Sequence, residues 1–306
     1  MRSTVTDPRR PFGRLITAMV TPFAPDGSLD VTGAAELATW LVDEGANDAL
    51  VISGTTGESP TTTDAEKESL LRAVAEAVGD RAYLIAGVGT NDTRHSVELA
   101  QSAEKAGADA VLAVTPYYNK PPAAGVYAHL TTIADATGLP MMIYDIPHRA
   151  GIAIDTENLC RLAEHQRIVA VKDAKGSVIE TSWVTRRTDL AFYCGDDPLT
   201  LPWLAIGAVG VVGTSTHLVG PPTKRMIEAY EAGDVETAGH LHHQLLPLHT
   251  GIFRAPGTIL VKAALNLLGR PAGPVRLPLV DATDAEIVQL RKGCAQVGVE
   301  LPELYR

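Results

Sequence analysis

Lys172 stands in Ile168-Val169-Ala170-Val171-Lys172-Asp173-Ala174, an otherwise apolar run. Four apolar residues in succession suit a strand buried on both faces, as in a parallel sheet. An ammonium at the end of such a strand loses hydration, so its pKa falls and free amine becomes available near neutral pH. A free amine in a pocket attacks a carbonyl carbon and forms a Schiff base. The run alone fits equally well a lysine that snorkels outward or pairs with Asp173. The surrounding segments decide between these readings.

Four further apolar runs are each followed by a polar segment of unusual composition. They are Ser53-Gly54-Thr55-Thr56-Gly57-Glu58-Ser59, Thr115-Pro116-Tyr117-Tyr118-Asn119, Tyr144-Asp145-Ile146-Pro147-His148-Arg149 and Gly195-Asp196-Asp197. A fifth, Gly213-Thr214-Ser215-Thr216-His217, follows the last run. The first reads by itself as a polar turn, yet its glycines, N–H groups and hydroxyls also suit an anion. An amine, phenols, hydroxyls and a guanidinium are the groups that Schiff-base chemistry on a keto acid uses. A phenol relays the protons of the carbinolamine. N–H and hydroxyl donors hold one carboxylate, and a planar arginine fork suits a second. No phosphate loop, cofactor fingerprint or metal-ligand spacing occurs among these segments, so neither cofactor nor metal is expected. His240, His242 and His243 cluster on a helical stretch with no evident carboxylate partner and read as a solvated face. Cys194 reads as a small buried thiol. Lys175 lies past the strand in Ala174-Lys175-Gly176, where water would keep it protonated.

The elements that carry these segments repeat one phrase: helix, Gly-Ala, short apolar strand. Gly45-Ala46, Gly107-Ala108 and Gly207-Ala208 each precede such a strand, and glycine past a helix supplies the left-handed turn that stops it. Strands are expected at 15–20, 49–52, 83–86, 110–114, 141–144, 168–172, 190–194 and 209–212. Before the second, Val31, Ala35, Ala38 and Val42 fall on one helical face after the N-cap Asp30. Eight strands separated by helices predict a (β/α)8 TIM barrel over 13–232, after a tail 1–12 and before a C-terminal helical extension 233–306. A doubly wound sheet would need a glycine-rich turn after its first strand, and Met19-Val20-Thr21-Pro22-Phe23 has no glycine. Barrel enzymes keep their chemistry on the loops after the strands, which is where the polar segments fall.

The net charge of −10 argues against nucleic acid as a partner, since no basic stripe meets the phosphates. Three distant cysteines argue against a disulfide framework, and the first ten residues lack the apolar centre of a signal peptide. No apolar run approaches the roughly 18 residues that span a membrane. A soluble, cytoplasmic protein is expected.

Gly54-Thr55-Thr56-Gly57-Glu58, Thr115-Pro116-Tyr117-Tyr118, Tyr144-x-x-Pro147, Val171-Lys172 and Gly195-Asp196-Asp197 together resemble the pyruvate-dependent class I aldolase (N-acetylneuraminate lyase) family, in its dihydrodipicolinate synthase branch. The resemblance runs from about Ile16 to the last helices, and five motifs in order are far more specific than any one. It implies that Lys172 forms the imine with pyruvate, and that Tyr144, Thr55 and Tyr118 relay protons. The loop bearing Tyr117 and Tyr118 would be exchanged across a subunit interface of a homotetramer, a dimer of dimers. Thr56 would hold the pyruvate carboxylate, with the backbone at Gly195 and Val212 lining the pocket. Arg149, in Tyr-x-x-Pro-x-Arg, would meet the carboxylate of L-aspartate semialdehyde. The implied product is 4-hydroxy-tetrahydrodipicolinate, on the route to diaminopimelate and lysine. Two departures stand out. Asp145 occupies a position that is often Asn. The lysine-feedback site of some family members uses two histidines and a glutamate, where this chain has Asp64, Lys67 and His95. Lys67 would repel lysine, so insensitivity to L-lysine is expected. The rival readings are a sugar-acid aldolase or dehydratase of the same family, against which Arg149 and the Tyr117-Tyr118 pair argue, and a non-catalytic paralogue. The latter would have lost Lys172 or Tyr144.

Overall fold

Each expected strand is long enough for one pass through a barrel and too short for a stable helix, and each forms. The computed structural model describes residues 9–302, so parts of the expected tail and of the chain end (1–8 and 303–306) lie outside the described residues. In chain order the elements are β1 (Leu15–Ala18), α1 (Val31–Asp43), β2 (Ala49–Ile52), α2 (Asp64–Val78), β3 (Tyr83–Gly87) and α3 (Thr93–Lys105). Then come β4 (Ala110–Val114), α4 (Ala123–Asp135), β5 (Met141–Asp145), α5 (Pro147–Ala150), α6 (Thr156–Leu162) and β6 (Ile168–Asp173). The barrel ends with α7 (Val178–Thr185), β7 (Ala191–Cys194), α8 (Thr200–Ala205), β8 (Gly210–Gly213) and α9 (Thr216–Glu231). After it follow α10 (Val235–Gly251), α11 (Gly257–Leu267) and α12 (Asp284–Gln296). Neighbouring strands are parallel in sequence order, and β8 closes on β1 through Leu15↔Val211 and Ile16↔Val212. This is a TIM barrel with a C-terminal helical extension.

Alternation along the strands creates two apolar shells. Ile16, Val51, Ile85, Leu112, Met142 and Val212 fill the interior, while Leu15, Leu50, Leu84, Val111, Ile143 and Val171 face the helices. At the N-terminal end Phe12 plugs the interior, its ring 6.3 Å from Tyr83 edge-on and 6.4 Å from Tyr193. Its backbone N–H donates to the Tyr193 hydroxyl at 3.2 Å. One end of the barrel is thereby sealed, and the polar loops occupy the other.

Two local expectations need correction. Asp30 caps α1, accepting from the Gly33 N–H at 2.8 Å. The buried face, however, is Ala34, Leu37, Ala38 and Leu41; Val31 is exposed, and Ala35 and Val42 are only partly buried. The two leucines carry more apolar area than the valines and alanine they displace, so they fix the rotation of the helix. The stop glycines behave as expected at Gly107 (φ +97°) and Gly207 (φ +100°), but in the first unit the left-handed residue is Ala46 (φ +58°). Gly45 is there for space: a Cβ on it would lie 2.5 Å from the Leu41 carbonyl oxygen. Among the described residues no helix is long and apolar enough to cross a membrane.

Candidate active site

β5 and β6 pair in register with Tyr144 beside Lys172, so the two side chains share the inner face. The Lys172 Nζ lies 4.2 Å from the centroid of the Tyr144 ring, and each residue is 5% exposed. Asp173, next along the strand, faces outward. It accepts from the Lys175 N–H at 2.9 Å, from Trp203 Nε1 at 3.4 Å and from the Thr181 hydroxyl. The reading that pairs Lys172 with Asp173 therefore falls.

Burial pushes the Lys172 ammonium down to about 8, opposed by the charge of Asp197 and reinforced by that of Arg149. At pH 7.5 this leaves about a quarter of the side chain as free amine, against about a thousandth for an ordinary lysine. Tyr144 moves the other way. Burial raises its phenol to about 12, while the Arg149 charge and a hydrogen bond with the Thr55 side chain work against the rise. A phenol so placed keeps its proton at neutral pH and is able to donate it to an oxygen beside the amine.

Above this pair, a cavity of about 520 Å³ is lined by Thr55, Tyr117, Tyr118, Tyr144 and Arg149. α5 fixes Arg149: a single turn opened by Pro147 and closed by Gly151 at φ +79°. Tyr118 is held at φ +71° and is 89% exposed, a large aromatic side chain left out of every core of its own chain. Thr56 does not line the cavity. Its buried hydroxyl sits 3.2 Å from that of Thr214. Gly195 lies against the stem of Lys172, where a Cβ would come within 3.0 Å of Lys172 Cγ and of the Asp173 carbonyl oxygen. Val212 belongs to the inner apolar shell, paired with Ile16. Thr55, Tyr144 and Arg149 thus meet at one cavity, with the exposed Tyr118 at its rim and Lys172 against the Tyr144 ring, while Lys172, Thr56, Gly195 and Val212 are not among the residues that line it.

One contributor was not singled out from the sequence. Asp197, buried, accepts from the backbone N–H of Thr214 at 3.1 Å and of Ser215 at 2.9 Å, and from the Ser215 hydroxyl. It thereby shapes the loop after β8 while opposing the neutralisation of Lys172. The Gly195-Asp196-Asp197 segment carried the signal, but which aspartate turns inward depends on the β8 loop that meets it.

Lys175 is the clear correction. Its side chain is only 7% exposed, and Nζ lies 3.3 Å from Asp145 Oδ2 and 3.0 Å from Glu180 Oε2 and donates to the Ile154 carbonyl at 2.9 Å. Carboxylates, not water, hold its proton, and its pKa is raised against the pull of burial. Asp145 in turn is pushed up to about 6 by burial, with Lys175 opposing. Asp64, Lys67 and His95 line the far side of the catalytic cavity. His95 Nε2 is 3.0 Å from Asp64 Oδ2, and Lys67 donates to the Thr62 carbonyl.

Comparison with known proteins identifies the family of the chain. The model of the dihydrodipicolinate synthetase family matches residues 11–296. A 4-hydroxy-tetrahydrodipicolinate synthase of Acidothermus cellulolyticus is 67% identical over 288 residues, covering 94% of this chain and 93% of that protein. A second, from Streptomyces coelicolor, is 58% identical over 96% of this chain and 98% of its own length. The crystal structure of the synthase from Cyanidioschyzon merolae with lysine bound superposes with a TM-score of 0.92 at 44% identity, covering 94% of this chain and 99% of that one. The chain belongs to the dihydrodipicolinate synthetase family.

Proposed function

We propose that this protein is a class I lyase that condenses pyruvate with L-aspartate semialdehyde to give 4-hydroxy-tetrahydrodipicolinate. The observation that carries the reading is a buried amine with depressed pKa, laid against a protonated phenol at the base of a cavity that ends in a guanidinium. Lys172 Nζ attacks the pyruvate carbonyl, forming a C–N bond. Tyr144 gives a proton to the carbinolamine oxygen, which departs as water and leaves the imine. Loss of a methyl proton yields the enamine, whose carbon bonds to the semialdehyde carbonyl carbon while the aldehyde oxygen takes a proton. The semialdehyde's own amine then attacks the imine carbon, closes the ring and frees Lys172. Thr55 and Tyr118 complete the proton relay with Tyr144. Thr56, with the backbone at Gly195 and Val212, receives the pyruvate end, and Arg149 the second carboxylate.

Tyr118 serves a neighbouring subunit in this scheme, which accounts for its exposure. A second exposed apolar set, Ile179 (73%) and Trp183 (51%) on α7, belongs to a different element. Two such faces suit a homotetramer assembled as a dimer of dimers. The barrel 13–232 carries the chemistry and 233–306 packs against it as the extension. The three free thiols suit the cytoplasm. The positions that the resemblance assigns to the lysine-feedback site of some family members are Asp64, Lys67 and His95 here, two of them joined as an ion pair, and a lysine cation meets the Lys67 charge there. This reading makes the chain insensitive to L-lysine, and half-inhibition below millimolar lysine would overturn that.

Turnover is tested with pyruvate and L-aspartate semialdehyde, coupled to a dihydrodipicolinate reductase. Saturable turnover that vanishes in Lys172→Ala is expected. A reducible pyruvate imine without turnover would redirect the assignment to a sugar-acid aldolase or dehydratase, and no imine at all would overturn it.

A further inference from the structure

The loop that bears Thr55 and Thr56 begins and ends in strain. Ser53 (φ +57°) and Glu58 (φ +55°) are both non-glycine residues in the left-handed region. Such residues persist where their surroundings over-determine them. What surrounds Glu58 comes from the other end of the chain. Its side chain and that of Lys262 on α11 are each 1% exposed, and they meet at 2.7 Å. Lys262 Nζ also donates to the Pro274 carbonyl at 2.8 Å and sits 4.2 Å over the Phe23 ring. The second Glu58 oxygen accepts from the Arg276 backbone N–H at 2.8 Å. One turn before Lys262, the buried Thr258 hydroxyl donates to the carbonyl of Thr56 itself at 3.2 Å. A buried ion pair over 200 residues apart in sequence and a direct bond to the loop backbone thus converge on one six-residue segment.

We infer that Lys262 and Thr258 are positioning residues: through Glu58 and the Thr56 carbonyl, the C-terminal extension fixes the Thr55-Thr56 backbone in the shape that receives the pyruvate carboxylate. The inference rests on the assignment of Thr56 made above. It distinguishes a helical extension that stabilises the barrel from one that sets the affinity for one substrate. Neither side chain touches the reacting atoms, so loss of either weakens pyruvate binding and leaves the chemistry of a saturated enzyme in place.

The test measures pyruvate half-saturation twice, as KM in turnover and as the yield of borohydride-trapped imine by mass. In Lys262→Met the half-saturation is expected to rise about tenfold, with kcat within about threefold and the KM for semialdehyde unchanged. Lys262→Arg keeps the charge and should recover much of the loss. Thr258→Val, nearly isosteric and free of any charge defect, should raise half-saturation about threefold. It is the deciding variant if Lys262→Met does not fold. Normal pyruvate half-saturation in Thr258→Val and in folded Lys262→Met overturns the inference. So does a loss shared equally by kcat and both KM values, which is what general loosening produces. The Thr56→Val control separates the two layers. If the parent forms the imine but Thr56→Val leaves half-saturation unchanged, the assignment of Thr56 fails before the clamp is in question.

Discussion

Lys172 and Lys175 lie three residues apart, both buried, on opposite sides of the barrel wall, and their protons are held in opposite ways. Inside, Lys172 has an aromatic face at 4.2 Å and a pKa lowered to about 8. Outside, in the layer between strands and helices, Lys175 has two carboxylates and a carbonyl within 3.3 Å, and its pKa is raised. Desolvation pushes both amines toward neutrality, so burial alone does not make a lysine reactive. The number of oxygens around the nitrogen sets the sign. On the inner face the charge of Asp197 opposes burial only in part, and that is the face on which an amine can act as a nucleophile.

The comparison breaks most easily by removing each amine in turn. Lys172→Met should lower turnover by about a thousandfold or more and abolish the trapped pyruvate imine, because Lys172 is the amine assigned to that bond. Lys175→Met should leave the imine in place; pyruvate labelling at Lys175 would invert the assignment. Stability should respond with the opposite pattern. Removing Lys175 strands the buried Asp145 and should destabilise the fold by about 3 kcal/mol in urea unfolding. Removing Lys172 should stabilise it near neutral pH. The sign follows from linkage: the folded pKa is depressed from 10.5 to about 8, so between those values the unfolded chain binds more protons than the folded one. Stability therefore rises with pH across that window, by about 3 kcal/mol in all, and the deficit is fully present below about pH 8. Lys172→Met should show neither the deficit nor the rise. A Lys172→Met variant less stable than its parent at pH 7 would mean that the inner ammonium is fully compensated after all.

The same depressed pKa sharpens the kinetic side. The rate of imine formation should climb nearly tenfold per pH unit up to about pH 8 and flatten above it. A climb continuing to pH 10 would place Lys172 with ordinary lysines. Gly195→Ala probes the packing beneath the amine. Its Cβ would come within 3.0 Å of Lys172 Cγ and of backbone oxygen, and a displaced amine should cost about tenfold in imine formation with little change in folding. An unchanged rate would show that the Lys172 stem has room to yield.

Much of this contrast was legible in the chain, and the illegible part has a common cause. All eight strands stood out because a strand buried on both faces writes itself as a continuous apolar run, and the loop after each strand carries the chemistry of its own end. Lys172 was legible as the last inward position of such a run. Lys175 was not, because its burial is made by Asp145 from β5 and Glu180 from α7. The Glu58–Lys262 pair joins residues more than two hundred positions apart, with nothing local to announce it. The face of α1 was misjudged by counting apolar positions equally, where Leu37 and Leu41 outweigh Val31 and Val42. Periodicity reports an element and its ends; partners across the fold decide what a buried charge does.

Asp145→Asn is the most delicate test of how well the barrel wall insulates its two faces. Asp145 is adjacent to Tyr144, so its side chain points to the outer layer, where it meets Lys175 and the Ile154 N–H. Its folded pKa is raised to about 6 from an ordinary 3.8, so the folded state binds more protons than the unfolded one between those values. Its contribution is favourable below about pH 4 and is lost as pH rises through about 6. Replacing it with asparagine removes that loss, while Lys175 keeps Glu180 and the Ile154 carbonyl as partners. The two effects oppose each other, and the net change in stability at pH 7.5 should stay within about 1 kcal/mol. The pH dependence of stability between pH 4 and 6 should flatten. Imine formation should remain within about twofold of the parent, since no inward contact changes. A tenfold fall would mean that the outer carboxylate reaches Tyr144 or Lys172 through the strand, and that the inner amine owes part of its low pKa to the layer behind it.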